Sequence, residues 1–106
     1  MKRLLFICSK NQLRSPTAEA IFAEYPDVDA LSAGLNKDFP TPVTPDELQW
    51  ADIIFVMEKA HKTRLRGHCS RWLKDKRVIS LDIPDKYEFM DSELVQLLER
   101  KVSGWI

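Results

Sequence analysis

The residues with chemical potential in this chain cluster where an apolar run ends in Cys8 and an arginine follows at Arg14. A cysteine thiolate is a nucleophile, and arginine offers a planar, permanently charged fork that suits two oxygens of a phosphate group. Five residues separate the two side chains. Ser15 and Pro16 come next, a pair that is typical of the first positions of a helix. The spacing therefore predicts a short loop that holds an oxyanion beside a thiolate.

The elements on either side of this loop must position it. Arg3 to Ile7 is a nearly continuous apolar run, the pattern of a strand buried on both faces. A helix is predicted to follow, with Ser15 as its N-cap and Pro26 as its end. In such a junction the loop N–H groups and the helix N-terminus form an anion site, and the same field favours the thiolate. We predict that the loop binds phosphate through Ser9, Lys10, Asn11, Gln12, Leu13, Arg14 and Ser15.

Two residues of the loop have further predicted roles. Asn11 tolerates a positive φ and can brace the loop through its side chain. Ser15 can donate a hydrogen bond to the sulfur of Cys8, which would help the sulfur to leave in a second chemical step.

The rest of the chain predicts an α/β scaffold. Further strands are predicted at Val28–Ala33, Asp52–Met57 and Arg77–Leu81. Helices are predicted from Thr44 to about Trp50, from Glu58 to Leu65 with Gly67 ending it, and at the C-terminus, where Leu94, Leu97, Leu98, Val102 and Trp105 mark the inner face. Leu35 to Val43 is predicted as a loop, because Pro40 and Pro42 exclude a helix.

This alternation predicts one domain spanning residues 1–106, a three-layer α/β fold with a four-stranded parallel sheet. Ligands of such sheets bind beyond the carboxyl ends of the strands. We therefore expect the residues that follow strand ends to share one rim: Cys8, Gly34, Glu58 and the segment Asp82 to Asp85.

The segment Cys8 to Pro16 resembles the phosphate loop of the low-molecular-weight protein tyrosine phosphatases, typically Cys-x-Gly-Asn-x-Cys-Arg-Ser-Pro. Three further segments match that family in order: Ser32 to Gly34, Ala51 to Glu58, and Asp85 to Tyr87. The resemblance implies a cysteine-dependent phosphomonoester hydrolase that acts through a cysteinyl-phosphate intermediate. It implies Cys8 as nucleophile and Arg14 as transition-state ligand, with no metal or other cofactor.

The chain departs from this family at specific places. Lys10 replaces a glycine, which predicts either an unusual backbone at Lys10 or a changed loop shape. Leu13 replaces a cysteine that many members use for redox protection, a mode expected to be absent here unless Cys69 is near. The segment between Gly34 and Ala51 is also much shorter than usual, which predicts a more open pocket.

The proposed chemistry needs a carboxylic acid that protonates the leaving group and then activates water. Asp82 directly follows the predicted strand and is one candidate. The segment Asp85-Lys86-Tyr87 aligns with the Asp-Pro-Tyr of the family, which makes Asp85 the other candidate. We take Asp85 as the predicted acid. Tyr87 either flanks the substrate cleft or packs on the final helix.

Composition restricts the partners. Lys plus Arg equals Asp plus Glu, so no overall field favours nucleic acid, and nucleic-acid binding is not expected. No apolar run has the length of a membrane span or of a signal-peptide core, which predicts a cytoplasmic protein. His61, His68 and Cys69 fit no strong zinc pattern, and His61 is interpreted as a solvated helix residue. The expected partner is a phosphorylated protein or a small phosphomonoester, and the sequence leaves the oligomeric state open.

Two other functions remain open on this scaffold. One is a non-catalytic module that binds phosphate or phosphopeptides, which Lys10 and the shortened middle segment would suit. The other is arsenate reduction, which requires additional cysteines, whereas this chain offers only Cys69 besides Cys8.

Overall fold

The computed structural model describes residues 1–36 and 41–106, so that Pro40 of the predicted loop lies outside the described residues. The strands are β1 (Lys2–Cys8), β2 (Val28–Gly34), β3 (Ile53–Val56) and β4 (Arg77–Ser80). The helices are α1 (Arg14–Phe22), α2 (Pro45–Trp50), α3 (Lys59–Cys69) and α4 (Ser92–Val102), with 3₁₀ turns at Ser70–Trp72 and Ser103–Trp105.

The strands form one four-stranded sheet in the order β2-β1-β3-β4, and every pairing is parallel. Cys8, the last residue of β1, lies opposite Gly34, the last residue of β2. The carboxyl ends of all strands therefore meet at one edge of the sheet, and the predicted three-layer α/β fold is confirmed.

Successive side chains of β1 point to opposite faces of the sheet, and both faces are buried, so every position in the middle of the strand is apolar. Leu4 and Phe6 belong to a core shared with α1 and α4, whereas Leu5 and Ile7 belong to a second core shared with α2 and α3. All of them are fully buried. In the first core the ring of Phe6 stacks between those of Phe22 and Phe55, at centroid distances of 5.6 and 5.3 Å. Packing on both faces thus fixes this central strand, and Cys8, its last residue, lies at the edge of the sheet.

Several predicted helix limits were wrong. Helix α1 begins at Arg14 and has Leu13, not Ser15, as its N-cap, because the Leu13 carbonyl already accepts the Thr17 amide at 3.1 Å. Helix α3 continues through Gly67 to Cys69, since an exposed glycine with open space around it tolerates helical backbone.

The end of the chain also differs from the expected pattern. Trp105 lies in a 3₁₀ turn beyond α4 and is 38% exposed, so that it is not part of the inner face. Within residues 1–36 and 41–106, no helix has the length and apolar character needed to cross a membrane.

Candidate active site

A small pocket of about 140 Å³ lies at the carboxyl edge of the sheet, between the loop that follows β1 and the segment that follows β4. Its lining includes the predicted nucleophile, the predicted arginine and the predicted acid: Cys8, Ser9, Lys10, Gln12, Leu13, Arg14 and Asp85. Residues separated by more than seventy positions in the chain are thus brought to one pocket, which is of a size that suits a phosphoryl group.

The loop has the conformation expected of an anion-binding turn. Asn11 has a φ of 56°, as predicted, and its backbone amide donates a hydrogen bond to the Cys8 Sγ at 3.3 Å. Its side-chain amide donates to the hydroxyl of Thr41, which braces the loop against the segment after β2. Immediately after Leu13 the first turn of α1 begins, so the unpaired amides of a helix N-terminus lie at the pocket.

Arg14 is held in place by groups behind the pocket. Its side chain is only 3% exposed, and its Nη1 donates to the Glu58 Oε2 and to the Ile83 carbonyl, both at 2.7 Å. The described residues contribute no hydrogen bond to Nη2, and the nearest carboxylate to Nε is Asp85 at 3.8 Å. One nitrogen is therefore committed to the scaffold, while the other two remain available to bind two oxygens of an anion.

The two candidate acids occupy different surroundings. Asp85 lines the pocket and has a side chain that is 64% exposed, with Oδ1 3.8 Å from the Arg14 Nε. Asp82 has a φ of 54° and accepts a hydrogen bond from the Ser80 hydroxyl at 2.8 Å, and it does not line the pocket. The geometry therefore favours Asp85 over Asp82 as the group that reaches a leaving oxygen.

Ser15 and Tyr87 are buried, and neither lines the pocket. The Ser15 hydroxyl is fully buried and has no hydrogen-bond partner among the described residues, so the predicted contact to Cys8 is absent. Tyr87 is 6% exposed and packs in the core formed with α4, with the Lys86 Nζ 5.4 Å from its ring. Of the two roles considered for Tyr87, the structure thus shows packing, because the segment after β4 turns the ring inward.

His61 is the residue at this site that the sequence interpretation missed. It was interpreted as a solvated helix residue, but it is 4% exposed and its Nε2 lies 3.0 Å from the Ser9 Oγ. Its Nδ1 accepts the Glu58 backbone amide at 3.2 Å. Burial, and then the positive charge of Arg14, lower the pKa of His61 below its ordinary value. The signal available in the sequence was the position of His61 in the first turn of the helix that follows β3, close to the rim residue Glu58.

The described part of the chain places neither a metal cluster nor a disulfide at this pocket. Among residues 1–36 and 41–106, no group of His, Cys, Asp and Glu is arranged to hold a metal ion. Cys8 and Cys69 are not joined in a disulfide, and Cys69, the last residue of α3, does not line the pocket.

Comparison with known proteins gives a family match at the loop and a fold match over nearly the whole chain. Residues 3–42 match the model of the low molecular weight phosphotyrosine protein phosphatase family. No curated protein matches the chain. The YwlE arginine phosphatase of Geobacillus stearothermophilus has a similar structure, with a TM-score of 0.79 at 22% identity over 99% of this chain and 93% of that chain.

Two tyrosine phosphatases give similar results. The Wzb tyrosine phosphatase of Escherichia coli K30, in complex with phosphate, has a TM-score of 0.77 at 21% identity, over 98% of this chain and 95% of that chain. The SP-PTP low molecular weight protein tyrosine phosphatase of Streptococcus pyogenes has a TM-score of 0.78 at 18% identity, over 99% and 91% of the two chains.

These findings confirm the resemblance to the low-molecular-weight phosphatases that the loop motif predicted. The amino-terminal segment has the sequence signature of that family, and nearly the whole chain has the same fold. The family match of residues 3–42 is typical of a phosphatase, and the structural similarity shows the fold.

Proposed function

We propose that the protein is a metal-independent phosphomonoesterase that acts through a cysteinyl-phosphate intermediate. The observation that carries this proposal is that Cys8, Arg14 and Asp85 line one pocket of phosphoryl size. A nucleophile, a fixed cation and an exposed acid are the groups that transfer of a phosphoryl group to sulfur requires.

In the first step the Cys8 sulfur attacks phosphorus and the bond to the leaving oxygen breaks. The Asn11 amide donates to Sγ at 3.3 Å and so holds the sulfur at the pocket. The Nε and Nη2 of Arg14 bind equatorial oxygens, whose charge they and the loop amides neutralise. Because Nη1 is already fixed by Glu58 and Ile83, little reorganisation of the guanidinium is needed.

Asp85 supplies the proton that the leaving oxygen takes. In the second step the same carboxylate removes a proton from water, which attacks the cysteinyl-phosphate and releases inorganic phosphate and the free thiolate. The exposure of Asp85 at the mouth of the pocket suits both steps, since the leaving group departs and water enters on that side.

The substrate is proposed as a phosphomonoester of a protein or of a small molecule. The similar structures include enzymes described as tyrosine phosphatases and as arginine phosphatases, so the substrate panel includes phosphotyrosine and also phosphoarginine, which is a phosphoramidate and not a monoester. The structure gives arsenate reduction no additional support, because the second cysteine lies on the far part of α3.

The test is a turnover screen in the presence of a chelator, with p-nitrophenyl phosphate, an alkyl phosphate, phosphotyrosine and phosphoarginine. We expect the wild type to turn over at least one of them and Cys8→Ser to turn over none. Asp85→Asn should lose more activity on the alkyl phosphate, a poor leaving group, than on the nitrophenyl ester, and it should release about one equivalent of nitrophenol in a burst.

Asp82→Asn is the matched control, because it makes the same change outside the pocket and should retain activity. Turnover by Cys8→Ser, or loss of wild-type activity with chelator, would contradict the mechanism. Saturable phosphate binding without turnover of any substrate would favour the non-catalytic binding module instead.

A further inference from the structure

The polar contacts behind the phosphate loop connect His61 to Ser9, the residue that directly follows the nucleophile. Ser9 lines the pocket, and its Oγ lies 3.0 Å from the His61 Nε2. Ser9 was predicted to bind phosphate as part of the loop, whereas His61 lies outside the motif on which the proposed function rests. Their contact joins the first turn of α3 to the loop after β1, across fifty-two positions of the chain.

The hydrogen-bond partners of the imidazole determine where its proton resides. A backbone N–H can only donate, so the Glu58 amide at 3.2 Å requires an unprotonated Nδ1. In the neutral ring the proton then lies on Nε2, and burial of His61 favours that neutral form. The Nε2–H therefore donates to the Ser9 Oγ, and the Ser9 hydroxyl retains its own proton for a different acceptor.

We propose that His61 is a positioning residue, which holds the Ser9 oxygen as an acceptor so that the Ser9 hydroxyl donates its proton to an oxygen of the phosphoryl group in the pocket. Ser9 thereby adds a neutral donor beside the charged fork of Arg14. Ser15 was the hydroxyl for which the sequence predicted a hydrogen bond at this site. In the structure the Ser15 hydroxyl is buried and has no hydrogen-bond partner among the described residues. This inference rests on the proposed phosphate site and specifies how that site binds its ligand.

Two substitutions of His61 separate its contacts. In His61→Asn the side-chain oxygen can replace Nδ1 and accept the Glu58 amide, but nothing reaches Ser9. In His61→Gln the amide nitrogen can replace Nε2 and donate to Ser9. Ser9→Ala removes the donor itself, and His68→Asn makes the same change at an exposed position farther along α3.

The experiment measures the dissociation constant of inorganic phosphate by calorimetry, and kcat and KM for p-nitrophenyl phosphate, in each variant. We expect Ser9→Ala and His61→Asn each to weaken phosphate binding by on the order of 10-fold, the value of one hydrogen bond to a charged group. The double variant should be no weaker than either single variant. His61→Gln should recover part of the loss, and His68→Asn should match the wild type.

Additive losses in the double variant would overturn the proposal, because they would show that His61 does not act through Ser9. Unchanged phosphate affinity in His61→Asn, with lower stability alone, would also overturn it and leave His61 a packing residue. The calorimetric readout needs no turnover. The coupling would therefore be measurable even if the protein proved inactive, an outcome that would contradict the proposed function and not this proposal.

Discussion

Gly34 gives the sharpest test of how the sheet positions the phosphate loop. It ends β2 opposite Cys8, and its φ is not positive, so glycine is not required there for backbone freedom. A Cβ built at this position would lie 3.0 Å from the Ser9 carbonyl oxygen and 3.1 Å from the Lys10 carbonyl carbon. Both are backbone atoms of the loop, so Gly34→Ala must move the loop and not merely a side chain.

The size of the movement follows from these distances. Ordinary van der Waals contact begins at 3.4 Å, so the loop must retreat by about 0.4 Å. Two hydrogen bonds oppose this movement of the loop. The Leu35 amide donates to the Cys8 carbonyl at 3.0 Å, and the Asn36 amide donates to the Ser9 carbonyl at 2.9 Å. Overpacking of this kind costs about 1–3 kcal/mol of unfolding free energy. A misplacement of ~1 Å can cost ~100-fold in rate, so we expect kcat/KM to fall on the order of 10-fold.

The assay combines urea unfolding with steady-state turnover of p-nitrophenyl phosphate and phosphate binding. Gly67→Ala is the matched control, because its Cβ would meet nothing within 4 Å and it lies in the last turn of α3. This control should gain up to about 1 kcal/mol of stability and keep its activity. The reasoning would be refuted if Gly34→Ala retained phosphate affinity and kcat/KM within about two-fold of the Gly67→Ala values.

Three further predictions concern the charged groups of the site. Arg14→Lys keeps the charge but loses the fork, so kcat/KM should fall on the order of 100-fold or more in steady-state assays, and near-wild-type activity would argue against bidentate binding. Phosphate at about 100 times its dissociation constant should raise the unfolding free energy by ~2.7 kcal/mol in urea titrations of the wild type, and not in Arg14→Lys at the same concentration. The pKa of His61 in the folded state is lowered from 6.5. The contribution of neutral His61 to the free energy of unfolding is therefore complete above pH 6.5, and it decreases as the pH falls toward the folded-state pKa. Unfolding titrations should show this slope in the wild type and a smaller one in His61→Asn, and equal slopes would contradict it.

The features that the sequence predicted are those set by local pattern. The apolar run before Cys8 predicted a strand buried on both faces, and the interval to Arg14 predicted the loop that follows. Because parallel strands end at one edge of the sheet, the meeting of Glu58 and Asp85 with Arg14 could also be anticipated from the order of the elements.

The features that it missed depend on long-range packing. His61 lies in a strongly basic stretch of α3, yet it is buried and contacts Ser9, a long-range contact that no periodicity along the helix reveals. Ser15 has the residue type of an N-cap, but the Leu13 carbonyl accepts the Thr17 amide, so the N-cap lies two residues earlier than predicted. The direction of the Tyr87 ring is likewise set by the core near α4 and not by its own neighbours in sequence.

The structure also explains why the loop accepts a lysine where the phosphatase family usually has glycine. A turn that directs several amides toward one centre needs a residue in the left-handed region. In this loop that residue is Asn11, with a φ of 56°, while Lys10 does not have a positive φ. Glycine at position 10 is therefore not required by backbone conformation, and the close approach to β2 is made possible by Gly34 from the other side. Lys10 is therefore accommodated without a left-handed backbone, and it is one of the residues that line the pocket.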